Sequence, residues 1–107
     1  NPVRLLAASV ANCLAASLMF AIRKYKEDPG DVSAEISGEL ERVDKLWRVN
    51  NLQVDLFLGN KKQDIPHLQR ALEQFEDFCI VTQSVRKGIA VNLKVFDKTG
   101  DCVHSSQ

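Results

Sequence analysis

The sequence has no excess charge of either sign and no cluster of cysteines. Its 107 residues include 14 Lys and Arg against 14 Asp and Glu, so the formal net charge is zero. Proteins that bind nucleic acids usually carry a basic surface, and a balanced chain argues against such a partner. The three cysteines, Cys13, Cys79 and Cys102, lie far apart and form no CxxC pair. This usage argues against a secreted disulfide scaffold and favours a reducing, cytoplasmic location.

The short motifs that bind phosphates, cofactors or metals are also missing. No GxGxxG, Walker or GxSxG pattern occurs. A zinc site needs about four clustered ligands, but His67 and His104 have no Cys or His at ligand spacing. We therefore expect no metal and no cofactor, with His67 in the first turn of a helix and His104 in a terminal tail. The remaining carboxylate pairs are expected to be solvated or to cap turns: Asp28 with Asp31, and Glu76 with Asp77.

The longest uncharged run is too short and too interrupted for a typical membrane span. Residues 5–22 carry no charge, and this run of 18 falls slightly below the roughly 20 apolar residues that a span needs. Ser9, Asn12 and Ser17 interrupt the run, and six alanines dilute it. Alanine is weakly hydrophobic but is an excellent helix former. A buried core helix is therefore favoured over a membrane anchor or a signal sequence.

The length and composition fit one small domain. Apolar residues make up 45% of the chain, enough for a modest core in a single domain over residues 1–107. The chain does not begin with Met, which is consistent with a processed or trimmed protein or with a fragment of a longer one.

The first element is predicted to be a helix over residues 2–25. Pro2 suits a first helical turn and Asn1 can cap it. Because the segment is apolar nearly all round, we expect other elements to enclose it. One stripe at helical spacing contains Leu6, Val10, Cys13, Ser17 and Phe20.

Two strands are predicted next, because apolar and polar residues alternate over residues 32–41 and again over 52–58. The first has an acidic outer face. We expect the two strands to pair antiparallel, joined across residues 42–50. The inward residues of the first strand would be Val32, Ala34, Ile36, Gly38 and Leu40, and those of the second would be Leu52, Val54, Leu56 and Leu58.

A second helix is predicted over residues 64–78. Asp64 is a suitable N-cap and Pro66 fits the first turn. Four apolar residues at helical spacing form one face: Leu68, Leu72, Phe75 and Phe78.

The last third of the chain is predicted to contain a helix over residues 79–88, a strand over 89–95 and a turn over 97–101. Residues 102–107 are a short strand or a loose tail. This order of elements indicates an α+β fold with an antiparallel sheet packed on the long first helix. Because three strands cannot enclose an all-apolar helix, absent strands, a partner subunit or both should cover it.

The thiols are the remaining candidates for chemistry. A reactive thiol needs a lowered pKa, which a nearby cation or a helix N-terminus provides. Cys13 lies three turns into its helix, and Cys79 opens a helix but follows Glu76 and Asp77, which oppose a thiolate. Local sequence alone therefore favours two inert core cysteines over a reactive pair.

A family resemblance changes that balance. The stretch NPVRLLAASVANCLAASLMFAIRK resembles the signature helix of the OsmC/Ohr family, the osmotically inducible and organic-hydroperoxide-resistance proteins. The family pattern is carried here by Asn1, Pro2, Leu5, Leu6, Ala7, Ala8 and Cys13. The later stretch FCIVTQSV, with Cys79, is similar to the segment that holds a second family cysteine. The separation of 66 residues is also similar, and the resemblance covers essentially the whole chain.

The resemblance implies an intertwined homodimer with an OsmC-like fold and active sites at the subunit interface. It implies a thiol-dependent peroxidase in which Cys13 is the peroxidatic cysteine and Cys79 the resolving cysteine. Organic hydroperoxides would be the substrates, and an external dithiol would be the reductant. Phe75 and Phe78 are candidate liners of the substrate pocket, with a role in the core as the alternative. Cys102 has no family counterpart.

Three features depart from the family pattern. Val3 occupies the position where the peroxidatic members have a glutamate, and Ile80 replaces the usual proline after Cys79. The N-terminal strands of the family, one of which carries an arginine, have no counterpart in this sequence. The alternative hypothesis is therefore an OsmC-fold binding or structural protein without peroxidase activity.

Overall fold

One long helix and a four-stranded sheet form the frame of the molecule, and the computed structural model describes all residues 1–107. Two short helices and two 3₁₀ turns connect the second and third strands. In chain order the elements are α1 (Pro2–Arg23), β1 (Ser33–Val43), β2 (Leu46–Phe57), a 3₁₀ turn (Lys62–Asp64), α2 (Leu68–Gln74), a 3₁₀ turn (Phe75–Phe78), α3 (Ile80–Val85), β3 (Ala90–Phe96) and β4 (Cys102–Ser106). The predicted α+β class is confirmed.

Helix α1 forms where the sequence predicts it. The side-chain oxygen of Asn1 accepts a hydrogen bond from the backbone N–H of Arg4 at 3.1 Å, and Pro2 lies in the first turn. It is the one helix long and apolar enough to cross a bilayer, a property that core helices of soluble proteins share. In this structure one face of α1 packs in the core of the domain.

The single chain covers only one face of α1, which agrees with the expectation that its own strands cannot enclose this helix. Of the predicted stripe only Val10 is fully buried, and Phe20 is 73% exposed. Because α1 is apolar all round, its sequence does not specify which face meets the sheet, and the position of the sheet decides. The buried face consists of Val10, Ala11, Leu14, Leu18 and Ile22.

The hairpin β1–β2 is longer than the sequence predicted. The connection expected over residues 42–50 is only a two-residue turn, Asp44 and Lys45, both with positive φ (52° and 68°). Positive φ angles at both turn residues are typical of the two-residue turns that connect the strands of a hairpin. The pairing is antiparallel, as predicted, and β1 is a mostly exposed strand at the edge of the sheet.

The sheet is mixed, and the prediction of a purely antiparallel sheet is wrong for one pair. The strand order is β1-β2-β3-β4, with β2 and β3 parallel and the outer pairs antiparallel. After β2 the chain passes through α2 and α3 and returns to the end of the sheet at which β2 begins. Strand β3 starts there and runs in the same direction as β2. A crossover of this kind returns the next strand in a parallel direction.

The predicted helix over residues 64–78 is divided into three pieces. Asp64 ends a 3₁₀ turn, and His67 rather than Asp64 takes the N-cap position of α2. At Phe75 the α-helix tightens into a 3₁₀ turn, and residues there no longer follow the α-helical spacing. As a result Phe75 is fully buried whereas Phe78, predicted on the same face, is 74% exposed.

The turn between β3 and β4 is confirmed, and a buried carboxylate organises it. Asp97 accepts hydrogen bonds from the backbone N–H groups of Thr99, Asp101 and Lys62, and from the Thr99 hydroxyl. The Thr99 hydroxyl and these N–H groups lower the pKa of Asp97 despite its burial. Residues 102–106 form a true strand, β4, against β3.

A single core lies between α1, the sheet and the helical segment. It contains residues from α1, β2, β3, α2 and the Phe75–Phe78 turn, and also Cys79. The core places the middle of α1 against the start of α3, where the candidate site lies.

Candidate functional site

The structure brings two of the three cysteines together. A disulfide joins Cys13, in the middle of α1, to Cys79, at the N-cap position of α3, and their Cα atoms are 5.9 Å apart. The two residues are 66 positions apart in the sequence, so only the fold brings them into contact. Cys102 is exposed on β4 and is not part of the pair. This arrangement allows reversible thiol–disulfide chemistry between Cys13 and Cys79.

The two sulfur-bearing residues differ in accessibility. Cys79 is fully buried, at 0% exposure, whereas Cys13 is half-buried. The Sγ of Cys79 lies 3.0 Å from the hydroxyl oxygen of Thr82. Because a disulfide sulfur carries no hydrogen, the Thr82 hydroxyl is the donor. No lysine or arginine hydrogen-bonds to either sulfur, and this contact is their one side-chain hydrogen bond.

A network of backbone hydrogen bonds fixes the turn that carries Cys79. The N–H of Cys79 donates to the carbonyl of Glu76 at 3.1 Å, and the N–H of Gln83 donates to the carbonyl of Cys79 at 3.0 Å. The side-chain amide of Gln83 also donates to the Glu76 carbonyl at 3.0 Å. Glu76 is therefore tied to both ends of the short turn that enters α3.

The carboxylate of Glu76 anchors this turn to α3 and β4. Arg86 donates to Oε1 at 2.8 Å, the Ser106 hydroxyl donates to Oε1 at 2.7 Å, and His104 Nε2 lies 2.7 Å from Oε2. Arg86 also donates to the carbonyl of Val91 at the start of β3. We call Glu76, Arg86, His104 and Ser106 the Glu76 cluster.

The Glu76 cluster keeps its carboxylate ionised. Burial by itself raises the pKa of Glu76, but hydrogen bonds from His104, Ser106 and Arg86, and the charge of Arg86, outweigh it and lower the pKa to about 2. The expectation of a solvated Glu76 is wrong, because its side chain is only 13% exposed. His104, expected in a tail, is a member of β4.

The Glu76 cluster changes the electrostatics expected beside Cys79. The sequence predicts that the negative charges of Glu76 and Asp77, just before Cys79, oppose a thiolate. In the structure Arg86 forms an ion pair with the carboxylate of Glu76, so part of the opposing charge is compensated. No local motif could reveal the cluster, because Glu76 is separated from His104 and Ser106 by 28 and 30 residues.

Two apolar grooves flank α1. The first groove, of about 450 Å³, lies between the second half of α1 and the α2 region. Its lining includes Ser17, one turn after Cys13, and also Lys24, Phe20 and Phe78. The second groove, of about 370 Å³, lies between the first turns of α1 and the β1–β2 hairpin. Phe75 lines neither groove, because it is in the core.

Val3 lines the second groove. Its other lining residues are Arg4, Ala7, Ala8, Ile36, Gly38, Leu40, Val49 and Leu52. None of them is acidic, so no carboxylate lies in this groove beside the first turn of α1.

Contacts of Tyr25 and Glu27 link the segment after α1 to His67 at the start of α2. The ring of Tyr25 stacks on His67 with 4.7 Å between ring centroids. Glu27 accepts hydrogen bonds from the backbone N–H and the ring Nδ1 of His67. Burial opposes the ionisation of Glu27, but the contacts with His67 outweigh it and lower the pKa of Glu27. His67 is thus committed to a structural contact at the N-cap of α2.

Comparison with known proteins gives one family and one fold. The sequence profile described as OsmC-like protein matches residues 1–94. No curated protein matches the chain by sequence.

The solved structures that resemble this chain share its fold at low sequence identity. An organic hydroperoxide resistance protein OsmC from Legionella pneumophila, also described as a predicted redox protein, has a TM-score of 0.70 at 20% identity, covering 89% of this chain and 68% of the other. An organic hydroperoxide resistance protein from Elizabethkingia anophelis gives 0.73 at 19% identity, covering 92% and 69%. The organic hydroperoxide resistance protein OhrB of Bacillus subtilis gives 0.67 at 20% identity, covering 89% and 69%.

Proposed function

Because the chain belongs to the OsmC-like protein family, we propose that it is a thiol-dependent peroxidase that reduces organic hydroperoxides with Cys13 and Cys79. The single observation that carries this proposal is the contact between these two cysteines, one in the family's signature helix and one at the start of α3. Similar folds are found in proteins described as organic hydroperoxide resistance proteins.

Cys13 is the residue that attacks the hydroperoxide. It is half-buried and therefore within reach of a small substrate, whereas Cys79 is fully buried. The Cys13 thiolate attacks the terminal oxygen of the hydroperoxide and the O–O bond breaks. The other oxygen leaves as an alkoxide, which takes up a proton to become an alcohol. Cys13 is thereby oxidised to a sulfenic acid.

Cys79 then resolves the sulfenic acid. Its sulfur attacks the Cys13 sulfur, the S–O bond breaks and the hydroxide leaves as water with the proton of the Cys79 thiol. The product is the Cys13–Cys79 disulfide. An external dithiol reduces it by two successive exchange steps and is itself oxidised to a disulfide. This cycle operates in the cytosol, where dithiols are kept reduced.

The first groove suits the organic part of the substrate. It begins one helical turn from Cys13, and most of its lining is apolar, including Phe20, Ala21 and Phe78. A site of this kind binds alkyl or aryl groups better than water or hydrogen peroxide. We assign this groove, with Phe78 at its wall, to the substrate. Phe75 supports it only from the core.

We also propose that the working unit is a homodimer. Nine large apolar side chains are exposed on the single chain, among them Leu5 and Phe20 on α1 and Leu40 and Trp47 on the hairpin. A second copy would cover the face of α1 that the sheet does not reach. The remaining five exposed side chains are Val3, Val43, Leu46, Phe78 and Ile80.

Peroxidase activity can be tested by following the consumption of cumene hydroperoxide with a dithiol reductant. The variant Cys13→Ser should lose turnover completely. Cys79→Ser should turn over more slowly than the wild type and, when the reductant is omitted, should still reduce about one equivalent of hydroperoxide. Cys102→Ser is the matched control and should keep full activity. Full activity in Cys13→Ser would refute the proposal.

A second candidate function is a protein of this family without peroxidase activity. Val3 motivates it, because an apolar side chain stands where the peroxidatic members have a glutamate, and no acidic residue lines the surrounding groove. This candidate predicts that the wild-type protein consumes hydroperoxide no faster than Cys13→Ser. Wild-type consumption well above that variant would exclude it.

A further inference from the structure

Thr82 makes the one side-chain hydrogen bond to the disulfide. This residue has no role in the cycle proposed above. It lies three residues after Cys79, in the first turn of α3, and its hydroxyl oxygen is 3.0 Å from the Cys79 sulfur. Thr82 is fully buried, at 0% exposure. A buried hydroxyl needs a partner, and the structure directs this one at a reacting atom.

The disulfide is also asymmetric toward an attacking thiol. Exchange requires the attacking thiolate to reach one sulfur while the other sulfur leaves. Cys79 has no exposed surface, whereas Cys13 is half-buried. The accessible sulfur is therefore that of Cys13, and the leaving sulfur is that of Cys79, which is the sulfur that Thr82 contacts.

We propose that Thr82 is a catalytic residue of the reductive half-reaction, in which its hydroxyl stabilises the Cys79 thiolate as that sulfur leaves the disulfide. This inference rests on the proposed function only in taking the Cys13–Cys79 disulfide as the species that is reduced. It states which sulfur the external thiol attacks, that of Cys13, and which residue stabilises the sulfur that leaves.

The thiolate of an external thiol forms a bond to the Cys13 sulfur while the bond between Cys13 and Cys79 breaks, and the electron pair of that bond stays on Cys79. The Thr82 hydroxyl donates its hydrogen bond to the new thiolate without transferring its proton. A second thiolate then attacks the external sulfur of the mixed disulfide and releases Cys13 as a thiolate, and the external thiols end as a disulfide.

A neutral donor to a developing anion makes a stronger hydrogen bond than one to a neutral sulfur. The contact should therefore favour the transition state over the intact disulfide, which is the condition for acceleration. Losing such a donor typically costs on the order of a fivefold to tenfold decrease in rate.

The test compares three single variants in a Cys102→Ser background, which removes the free thiol. The disulfide is formed with diamide, and its reduction by excess dithiothreitol is stopped at intervals by alkylation and quantified by mass spectrometry. Thr82→Val replaces the hydroxyl with a methyl group and should be reduced about fivefold more slowly. Thr82→Ser keeps the hydroxyl and should stay within about twofold of the parent, and Ser84→Ala, on the exposed side of α3, should be unchanged.

A second measurement identifies the sulfur that is attacked. Brief treatment with 2-mercaptoethanol, followed by acid quenching and alkylation, should give the mixed disulfide on Cys13 and the alkyl group on Cys79. This pattern does not depend on how stable a variant is. If Thr82→Val does not fold, Thr82→Ala provides the rate comparison, with Thr82→Ser as its partner.

Three results would overturn the inference: an unchanged rate in Thr82→Val, an equal loss in Thr82→Ser, or a mixed disulfide on Cys79. No hydroperoxide enters these assays, so they are independent of peroxidase activity. If the wild-type protein consumes no hydroperoxide but Thr82→Val is reduced slowly, the proposed function fails and the inference stands. If diamide forms no Cys13–Cys79 disulfide, both are refuted.

Discussion

At the scale of single residues, the carboxylate of Glu76 links the stability of the fold to pH. Its carboxylate receives hydrogen bonds from Ser106, from Arg86 and from the ring of His104, and these hold its pKa near 2. A carboxyl whose pKa falls from about 4.5 when unfolded to about 2 when folded stabilises the native state whenever it is ionised. The stabilisation amounts to about 3 kcal/mol at neutral pH as an upper estimate.

The pH dependence follows from the direction of this shift. Because the folded pKa lies below the unfolded pKa, the contribution is complete above about pH 5 and is lost as the pH falls toward 2. We expect Glu76→Gln to lower the free energy of unfolding by about 2–3 kcal/mol at pH 7. At pH 3 the deficit should shrink by about half. Urea unfolding of the disulfide-intact wild type and variant at both pH values measures this difference in the free energy of unfolding.

Glu73→Gln is the control for this substitution. Glu73 is exposed on α2 and makes no side-chain hydrogen bond or ion pair, so its variant should match the wild type within about 0.5 kcal/mol at both pH values. A Glu76→Gln deficit that is the same at pH 3 and pH 7 would show that charge is not the cause.

The sequence could identify the cysteine pair but not its surroundings. Cys13 and Cys79 each lie in a recognisable stretch, so a resemblance can link them without knowledge of the fold. Thr82 lies at helical spacing from Cys79, and that spacing could have suggested a contact. Arg86 and His104 could not be assigned to Glu76, because the pairing depends on where the crossover places β3 and β4.

At the scale of elements, the change from α2 to a 3₁₀ turn separates two phenylalanines that the sequence treats alike. Phe75 is fully buried and Phe78 is 74% exposed. We expect Phe75→Ala to reduce the free energy of unfolding by about 3–5 kcal/mol, as a large core truncation does. Phe78→Ala should cost less than about 1 kcal/mol in the single chain. Denaturant unfolding of both variants at low protein concentration tests this, and equal losses would contradict the assigned turn.

Two glycines allow the segment after α1 to cross the end of β2. A Cβ atom on Gly30 would lie 2.6 Å from the carbonyl carbon of Gly59, and one on Gly59 would lie 2.8 Å from the carbonyl oxygen of Asp31. The contact is backbone against backbone, and the N–H of Gly59 donates to the Pro29 carbonyl at 2.9 Å. Neither neighbour can move away as a flexible side chain would.

We therefore expect Gly59→Ala to destabilise the protein by more than about 2 kcal/mol, because the backbone segments around Gly30 and Gly59 would have to separate. Gly88→Ala is the matched control, since no atom lies within 4 Å of the added Cβ. Its effect should be within about 0.5 kcal/mol, because the added methyl group meets no neighbour and only stiffens the unfolded chain. Thermal unfolding of both variants measures the difference, and a neutral Gly59→Ala would refute the close contact.

The sequence specified most elements but not how they connect. Alternation of apolar residues located the three predicted strands, and the helices were found from their spacing and caps. Alternation stops at the hairpin tip, where Val43, Leu46 and Trp47 are all exposed, so the length of the hairpin was not predicted. Nor does alternation state a strand's direction, and the parallel pairing of β2 with β3 depends on the crossover between them.

At the scale of the whole molecule, the single chain leaves much of its apolar surface in water. Apolar residues make up 45% of the sequence, yet only 21 of 107 residues are buried. The molecule measures 50 × 24 × 22 Å, and the hairpin with Leu40 and Trp47 exposed contributes to this elongated shape. Exposed apolar patches of this kind usually mark an interface. The second groove, at the base of the hairpin, offers a concave partner surface.

Trp47 allows the proposed dimer to be tested directly, because it is the one tryptophan in the chain and is 59% exposed. If a second copy covers the hairpin, sedimentation should give about twice the chain mass of 12.0 kDa, and Trp47 emission should lie to the blue of free tryptophan.

Leu40→Lys places a charge in the second groove and should produce monomers with red-shifted emission. Ser37→Lys adds the same charge outside that groove, on the opposite face of β1, and should remain dimeric. A wild-type protein that sediments as a monomer at micromolar concentration would refute the dimer, and dissociation of both variants would contradict the assignment of the contact to the second groove in particular.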